Sequence, residues 1–108
     1  MNDLDGDVMA DGFILEFDGF GREHYDAVNQ RLGIDQASGQ GDWPAGLRFH
    51  AGGAKPGGFV VFEVWESRQA QERFMSERLG EAIQQAGITG PPSRAEWLEL
   101  AAYNSPGG

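Results

Sequence analysis

Two histidines are the side chains of this sequence that are best suited to proton chemistry. His50 follows Arg48 in a segment that alternates apolar and polar residues, and an imidazole near charged groups can act as a general base or a proton shuttle. The alternative, which the sequence favours, is a histidine that hydrogen-bonds a carboxylate at a dimer interface. His24 is expected on a helix, at a cavity edge or in solvent. Because the two histidines lie on different elements without i, i+4 spacing, we predict no metal site.

Aromatic side chains are numerous enough to enclose a planar ligand. The sequence contains 7 Phe, 3 Trp and 2 Tyr. Such side chains line small-molecule sites, although they fill ordinary cores more often. We predict a cavity between helices and sheet, with Trp65 at its margin as a catalytic candidate beside His50. The predicted cavity-lining residues are Tyr25, Phe49, Phe62 and Phe74.

Length and charge restrict the possible partners. The chain has 108 residues, with 17 Asp+Glu against 8 Lys+Arg and a formal net charge of −9. This length fits one domain, and the acidic balance disfavours nucleic acids and anionic membranes. Because there is no Cys, disulfides, thiolate catalysis and Cys-based metal clusters are excluded. Neither a long apolar run nor a basic leader is present, so we expect a cytoplasmic protein without a membrane span or signal peptide.

Hydrophobic periodicity predicts four strands and two helices. Alternation with a period of two indicates strands, whereas apolar residues at i, i+3 and i+7 indicate helices. In chain order the predicted elements are strand 13–17, helix 21–32, strand 47–51, strand 59–66, helix 68–85 and strand 95–103. The resulting β-α-β-β-α-β order predicts an α+β, ferredoxin-like fold, in which both helices cover one face of an antiparallel sheet.

The second predicted helix has an irregular apolar stripe. Ser67 is a suitable N-cap for it. The stripe of its first turns and the stripe of its last turns differ in direction by about a third of a turn. Gly80 lies near this change, so we predict a kink or break between Arg78 and Glu81.

The folded domain is predicted to span residues 12–104. Residues 1–11 contain several Asp and no basic residue, which is typical of a flexible acidic tail. Residues 105–108 are rich in Gly and Pro and are expected to form a flexible C-terminus.

Strand alternation divides the side chains between the two faces of the sheet. The choice that makes the helix-covered face fully apolar consists of Phe13, Leu15, Phe17, Leu47, Phe49, Ala51, Val60, Phe62, Val64, Leu98, Leu100 and Ala102. The opposite face is then too aromatic to remain in water and too charged for a sealed core. A second copy packed against it meets both conditions, so we predict an isologous homodimer. The predicted interface residues are Arg48, His50, Val61, Glu63, Trp65 and Trp97, and Arg48 is expected to pair with carboxylates there.

The stretch from Val64 to Phe74 resembles a known protein family. It reads Val-Trp-Glu-Ser-Arg-Gln-Ala followed by Phe74, and it is similar to the V-W-x-S-x-x-A-x-x-x-F stretch of antibiotic-biosynthesis-monooxygenase-like domains. Shorter segments around His24 and His50 are also similar to small members of that group. The resemblance covers residues 12–103 and implies the fold and homodimer of the dimeric α+β barrel superfamily. It implies less about activity, since the group includes oxygenases, heme-degrading enzymes and proteins of unassigned role.

The residues that the heme-degrading members of this family use are missing. Those members have an Asn on the first strand, a Trp on the second helix and a His further along that helix. The corresponding positions here hold Ile14, Leu15 and Glu16 on the strand, Phe74 on the helix, and Gln84 and Gln85 in its far turn. We therefore predict no heme and no other cofactor. The cofactor-free, quinone-forming members use an Asn, a Trp, an Arg and a Tyr around a flat substrate, and Trp65 matches that Trp.

The resemblance implies a cofactor-independent monooxygenase-like protein that acts on a small aromatic, hydroxyquinone-type substrate. The alternative is a homodimer that binds a small ligand without catalysis or has a structural role. The two functions differ in whether a proton acceptor reaches the cavity. The faces assigned above place His50 away from the cavity, which argues against a catalytic role for it.

Overall fold

The computed structural model describes residues 10–104 and 106, which form a four-stranded antiparallel sheet with helices on one face. In chain order the elements are β1 (Asp11–Asp18), α1 (Arg22–Leu32), β2 (Ile34–Asp35), β3 (Gln40–Gly41), β4 (Leu47–Lys55), β5 (Gly58–Trp65), α2 (Arg68–Phe74), a π-helical turn (Met75–Leu79), α3 (Gly80–Gln85) and β6 (Arg94–Glu99). The main sheet has the order β4-β5-β1-β6, and β2 and β3 form a small hairpin of their own. The predicted α+β, ferredoxin-like architecture is confirmed. The predicted tails fall mostly on residues 1–9, 105, 107 and 108, which lie outside the described residues.

Local sequence signals explain where the elements begin and end. Helix α1 ends at Gly33, whose φ of 77° is easily reached only by a residue without Cβ. The Ser67 hydroxyl accepts a hydrogen bond from the Ala70 amide and caps α2, as predicted. Strand β4 is longer than expected, because its glycines remain extended up to the tight turn at Pro56 and Gly57. None of the described helices is long and apolar enough to cross a membrane.

The irregularity predicted in the second helix occurs earlier than expected and is not a break. The backbone stays helical, but one turn widens into a π-helix over Met75–Leu79, immediately before Gly80. A π-helical turn adds one residue, so it rotates all the side chains that follow. Phe74 and Leu79 consequently face the same cavity although they are five residues apart.

The assignment of faces is correct for β1 and wrong for β5. Phe13 of β1 lies opposite Glu63 and Leu15 lies opposite Val61, so the odd-numbered residues of both strands share a face. That face is the one covered by helices, and its β5 residues are Phe59, Val61, Glu63 and Trp65. The apolar alternative, Val60 with Phe62 and Val64, lies on the other face. The prediction chose the even-numbered residues of β5 because they include no charged side chain. In the structure the odd-numbered residues face the helices, and the charge of Glu63 is accommodated there by hydrogen-bond partners.

The prediction also fails on the two edge strands, for a different reason on each. The register of β4 shifts between Leu47 and Phe49, so Leu47 and His50 both face the helices and Phe49 faces away. Such a bulge changes the phase of alternation within a strand. On β6 the ring of Trp97 stacks on Phe13 with a centroid distance of 4.1 Å, which places it on the helix side. Trp97 was expected on the opposite face.

The face of the sheet without helices, called here the uncovered face, has an apolar end and a charged end. Its apolar end includes Phe62 and Phe49; Val64 there is only 2% exposed and Leu100 packs near Phe62, whereas Phe49 is the most exposed large hydrophobic among the described residues, at 41%. At one end, Glu16 accepts hydrogen bonds from Lys55 at 2.8 Å and from Arg94 at 2.9 Å. These ion pairs lower the pKa of Glu16. The uncovered face therefore differs in composition from the face predicted for a dimer interface.

Two neighbouring valines test the corrected faces. Val61 is 9% exposed in the core, so Val61→Asp buries an unpaired charge and should lower the free energy of unfolding by roughly 3 kcal/mol or more. Val60→Asp places the same carboxylate on the uncovered face and should cost less than half as much. Urea unfolding followed by circular dichroism measures both values. Equal losses in the two variants would contradict the face assignment.

Candidate functional site

A small apolar cavity lies between the helices and the covered face of the sheet. Its volume is about 70 Å³, and its walls come from every layer of the domain. The hydrophobic part of the lining comprises Leu15, Phe17, Phe20, Val28, Leu32, Ile34, Trp43, Pro44, Leu47, Val61, Phe74, Leu79 and Ile83. Only a few polar side chains reach it, among them Tyr25, His50 and Glu63. A mostly apolar cavity with few convergent polar groups is the usual form of a small-molecule site.

These polar side chains form one continuous chain of hydrogen bonds. The hydroxyl of Tyr25 is hydrogen-bonded to Nε2 of His50, and Nδ1 of His50 lies 2.8 Å from Oε2 of Glu63. The indole N–H of Trp65 donates to Oε1 of Glu63 at 2.9 Å. Glu63 is only 7% exposed, and both of its carboxylate oxygens have hydrogen-bond partners within the protein. A buried carboxylate needs such partners to be tolerated.

With Glu63 ionised and the imidazole neutral, the hydrogen-bond partners assign the tautomer of His50. An ionised carboxylate can only accept, so Nδ1 of His50 carries the proton that bonds to Glu63. In the neutral imidazole, Nε2 is then the lone-pair nitrogen and accepts the hydroxyl proton of Tyr25. A carboxylate behind one ring nitrogen and a hydroxyl in front of the other is the arrangement of a histidine general base.

Burial of the Tyr25 ring keeps its hydroxyl protonated. Removal of the side chain from water raises the pKa of Tyr25 to about 12; the side chain of Asn29 lowers it, and the charge of Glu63 raises it further. At neutral pH Tyr25 is therefore a neutral donor to His50. A more acidic phenol at the same position would give up its proton to His50 more readily.

Backbone features place His50 and Tyr25 in contact. The bulge in β4 turns His50 toward the helices, directly opposite Glu63 of β5. Two residues further on, a Cβ at Gly52 would lie 3.0 Å from the ring of Tyr25. The absence of a side chain at Gly52 lets the tyrosine of α1 lie against β4. Its ring also packs on Phe59, with a centroid distance of 4.7 Å.

A loop held by hydrogen bonds borders the cavity on its outer side. The ring of Trp43 lies over His50 with a centroid distance of 5.8 Å, and its indole N–H donates to the Gly39 carbonyl at 3.0 Å. Arg78 holds the loop from the π-helical turn. Its guanidinium donates to the carbonyl of Leu32 at 2.8 Å and to the carbonyl of Asp42 at 2.7 Å.

The predicted site residues divide between the two sides of the sheet. Tyr25 and Phe74 line the cavity as expected, and His50 and Glu63 line it although they were assigned to the dimer interface. Phe49 and Phe62 lie on the uncovered face and contact each other there, with a centroid distance of 6.1 Å.

The remaining assigned residues take different positions. Trp65 is fully enclosed behind Glu63 at 0% exposure, so it holds the carboxylate and does not contact the cavity space. Trp97 lies on the covered side, outside the cavity lining. Arg48 is exposed on β4, and its carbonyl accepts a hydrogen bond from Tyr103.

Three contributors to the site were not predicted from the sequence. Trp43 lies next to Pro44 in the loop between β3 and β4, and Gly52 lies within β4. Arg78 was named only as the boundary of the predicted kink. Each acts through long-range contacts, which local periodicity does not report.

The residues present do not fit a heme or a metal. Within residues 10–104 and 106, no group of three or more His, Asp or Glu side chains could hold a metal ion. Of the two histidines, His24 accepts a hydrogen bond from the amide of Gly21 at its Nδ1, and both ring nitrogens of His50 have partners. A cavity of about 70 Å³ is also well below the 300–1,000 Å³ usual for sites that hold larger ligands.

Comparison with known proteins identifies the fold. No family model matches this sequence, and no curated protein matches it. Solved structures match over nearly the whole chain. The protein NE2512 of unknown function from Nitrosomonas europaea has a TM-score of 0.66 and 17% identity, and the alignment covers 95% of this chain and 100% of that one.

Two further structures carry descriptions that concern oxygenation. A candidate antibiotic biosynthesis monooxygenase from Chloroflexus aurantiacus has a TM-score of 0.62 and 16% identity, with 91% of this chain and 99% of that chain covered. SnoaB, a cofactor-independent oxygenase from Streptomyces nogalater, has a TM-score of 0.54 and 15% identity, with 92% and 98% covered. The chain therefore has the fold of the antibiotic-biosynthesis-monooxygenase-like domains, as the resemblance implied.

The hydroxyl of Tyr25 should ionise far above the ordinary range. Because its pKa is raised from 10 to about 12, the folded state favours the protonated form, and the resulting stabilisation is lost as the pH rises from about 10 through 12. Ultraviolet absorbance of tyrosinate during an alkaline titration should show an ionisation near pH 12. Tyr25→Phe should abolish it, and the control Tyr103→Phe should retain it. Completion of all tyrosine ionisation near pH 10 in the folded protein would refute the assignment.

Proposed function

We propose that this protein is a cofactor-independent oxygenase that removes the proton of a small phenolic, hydroxyquinone-type substrate at His50. One observation carries the proposal. Nε2 of His50 lies at an apolar cavity with Glu63 behind the ring, and it already accepts the hydrogen bond of a phenol, that of Tyr25. A position that receives the hydroxyl of tyrosine has the polarity and direction to receive the hydroxyl of a phenolic substrate.

The proposed reaction takes its electrons from the substrate itself. A dihydroxy ring plus O₂ gives a hydroxyquinone plus water: one oxygen atom becomes a new ring oxygen, the other leaves as water, and the ring gives up two hydrogens. Transfer of the phenolic proton to His50 leaves a phenolate, which passes electrons to O₂ far more readily than the neutral phenol. Oxygen bonds to a ring carbon to give a peroxide, and then the carbon–hydrogen bond at that carbon and the oxygen–oxygen bond break, so that the carbon becomes a carbonyl. The departing oxygen takes that hydrogen as a proton together with the proton held by His50 and leaves as water.

Glu63 and Trp65 act on this step through His50. The carboxylate of Glu63 keeps the proton on Nδ1 and stabilises the imidazolium that forms when Nε2 is protonated. The indole of Trp65 occupies the second carboxylate oxygen and fixes its orientation. Both are positioning residues, since neither contacts the reacting atoms.

The cavity favours the small end of the proposed substrate class. A volume of about 70 Å³ leaves room for a single ring only when a wall residue gives way, and three fused rings do not fit. The apolar lining lowers the local dielectric constant, which strengthens the hydrogen bond to the base. The similarity to SnoaB, which is described as a cofactor-independent oxygenase, supports the same class of reaction at the level of fold.

The alternative is a small-ligand-binding or structural homodimer without catalysis. The specific observation in its favour is that Tyr25 occupies the only lone-pair nitrogen of His50, so the hydrogen-bond chain is complete without a ligand. In a purely structural network, the hydroxyl of Tyr25 never has to be replaced by that of a ligand. Turnover distinguishes the two functions.

Oxygen uptake is the direct measurement. Wild-type protein, supplied with single-ring dihydroxy phenols and a metal chelator, should consume O₂ faster than buffer and yield the hydroxyquinone. His50→Gln should lower kcat/KM by about 100-fold or more, which is the usual effect of losing a general base. His24→Gln changes the other histidine, which lies outside the cavity lining, and should leave the rate unchanged.

Two results would overturn the enzymatic proposal. Uptake at the buffer rate across the phenol panel would leave the non-catalytic alternative. Equal losses in the two histidine variants would show that the decrease reflects general damage to the fold and not loss of a base.

We also propose a homodimer, formed through the uncovered face of the sheet. The apolar side chains of Phe49 and Phe62 suit contact with a second copy, whereas the residues first assigned to the interface are mostly internal. Cytoplasmic location remains a prediction from the sequence.

Phe49→Asp should dissociate the proposed dimer. The ring is 41% exposed in one chain, so the substitution should cost the fold little while it places like charges against each other across a two-fold interface. Phe49→Leu keeps an apolar side chain and should remain dimeric. Light scattering at micromolar concentration gives the mass, and dimeric mass for Phe49→Asp or monomeric mass for the wild type would refute this interface.

A further inference from the structure

We infer that Trp43 is a specificity-determining residue that limits the substrate to one aromatic ring. The ligand class in this inference rests on the proposed function; the size limit rests on the position of the indole. Trp43 lines the cavity, and it also lines an outer groove of about 200 Å³ with Leu47, Arg48, Phe49 and His50. We infer from this shared position that the indole is a partition that separates the two spaces.

The groove beyond Trp43 leads to the same base as the cavity. His50 and Leu47 line both spaces, together with Trp43. A longer ligand that extended from the cavity into this groove would keep its hydroxyl against Nε2 of His50. Of the three side chains shared by the two spaces, the indole is the largest, and its centroid is 5.8 Å from that of the imidazole, so it stands in the way of this extension.

The partition is held in place and is not a loose side chain. The indole N–H donates to the carbonyl of Gly39. The guanidinium of Arg78 donates to the carbonyl of the preceding residue, Asp42, at 2.7 Å and lies 3.3 Å from the Asp42 carboxylate. The following residue, Pro44, is buried and has a restricted φ. With both neighbours fixed, the position of the indole sets a size limit in the folded state.

A second wall residue, Tyr25, separates the cavity from another groove, but the structure favours Trp43. The groove beyond Tyr25 has a volume of about 320 Å³, and His50 does not line it. A ligand extended in that direction would displace the Tyr25 ring from its contacts with Phe59 and Gly52. Extension past Trp43 leaves those contacts intact.

Binding of phenols with increasing ring number tests the inference without turnover. Phenol, naphthol and hydroxyanthraquinone are titrated anaerobically by calorimetry into wild type, Trp43→Ala and Trp97→Ala. Trp43→Ala should bind hydroxyanthraquinone at least about tenfold more tightly than wild type does, while the affinity for phenol changes less than about threefold. Trp97→Ala removes an indole of similar burial from outside the cavity and should behave like the wild type. Trp43→Phe, which keeps an aromatic ring, should give an intermediate result if Trp43→Ala is poorly folded.

The outcomes separate this inference from the proposed function. Unchanged hydroxyanthraquinone affinity in both Trp43 variants, with phenol still bound, overturns the size limit and leaves the oxygenase proposal standing. The same holds if Tyr25→Ala, and not Trp43→Ala, admits the larger ligand. The expected binding pattern without any oxygen uptake supports the size limit and overturns the oxygenase. If none of the phenols binds to the wild type or to the Trp43 variants, both the size limit and the oxygenase proposal are overturned.

Discussion

The structure depends on how the buried carboxylate of Glu63 is satisfied. A carboxylate in the covered layer of the sheet costs several kcal/mol unless hydrogen bonds replace water. Here Nδ1 of His50 and Nε1 of Trp65 supply those bonds. His50 lies on the neighbouring strand β4, and Trp65 lies on β5 itself, two positions after Glu63. The network therefore forms only when β4 and β5 are in the observed register. The interaction that satisfies the buried Glu63 carboxylate therefore also places His50 at the cavity.

The order of elements was predictable because it depends on short-range patterns. Periodicity identified the strands and helices, Gly33 ended α1, and Ser67 capped α2. The side of β5 that faces the helices was not predictable in this way. Its even-numbered residues form an apolar set, and the competing set becomes acceptable only because a histidine on another strand meets Glu63. A pattern within one strand carries no information about partners across the sheet.

The candidate site could be predicted only as a list of residue types. His50, Tyr25 and Phe74 were recognised as candidates, but the bulge that turns His50 inward has no clear sequence signature. The apolar stripes of the first and last turns of the second helix were predicted to differ in direction, and the π-helical turn brings Phe74 and Leu79 to one cavity wall. In both cases one additional residue in a regular element changes which side chains meet. The similarity to solved structures gives the fold, and the residues inside the cavity carry the functional proposal.

Tyr25 determines which ligands can use the cavity at low cost. Any ligand that reaches Nε2 of His50 must first displace the hydroxyl of Tyr25. A phenol replaces one hydroxyl donor with another, so the hydrogen bond is exchanged and not lost. A purely apolar ring would leave the nitrogen buried without a donor, at a cost of about 1–3 kcal/mol. The wall residue thus selects for a hydroxyl group before any reaction occurs. In this account His50 and Tyr25 select the chemistry of the ligand, and Trp43 selects its size.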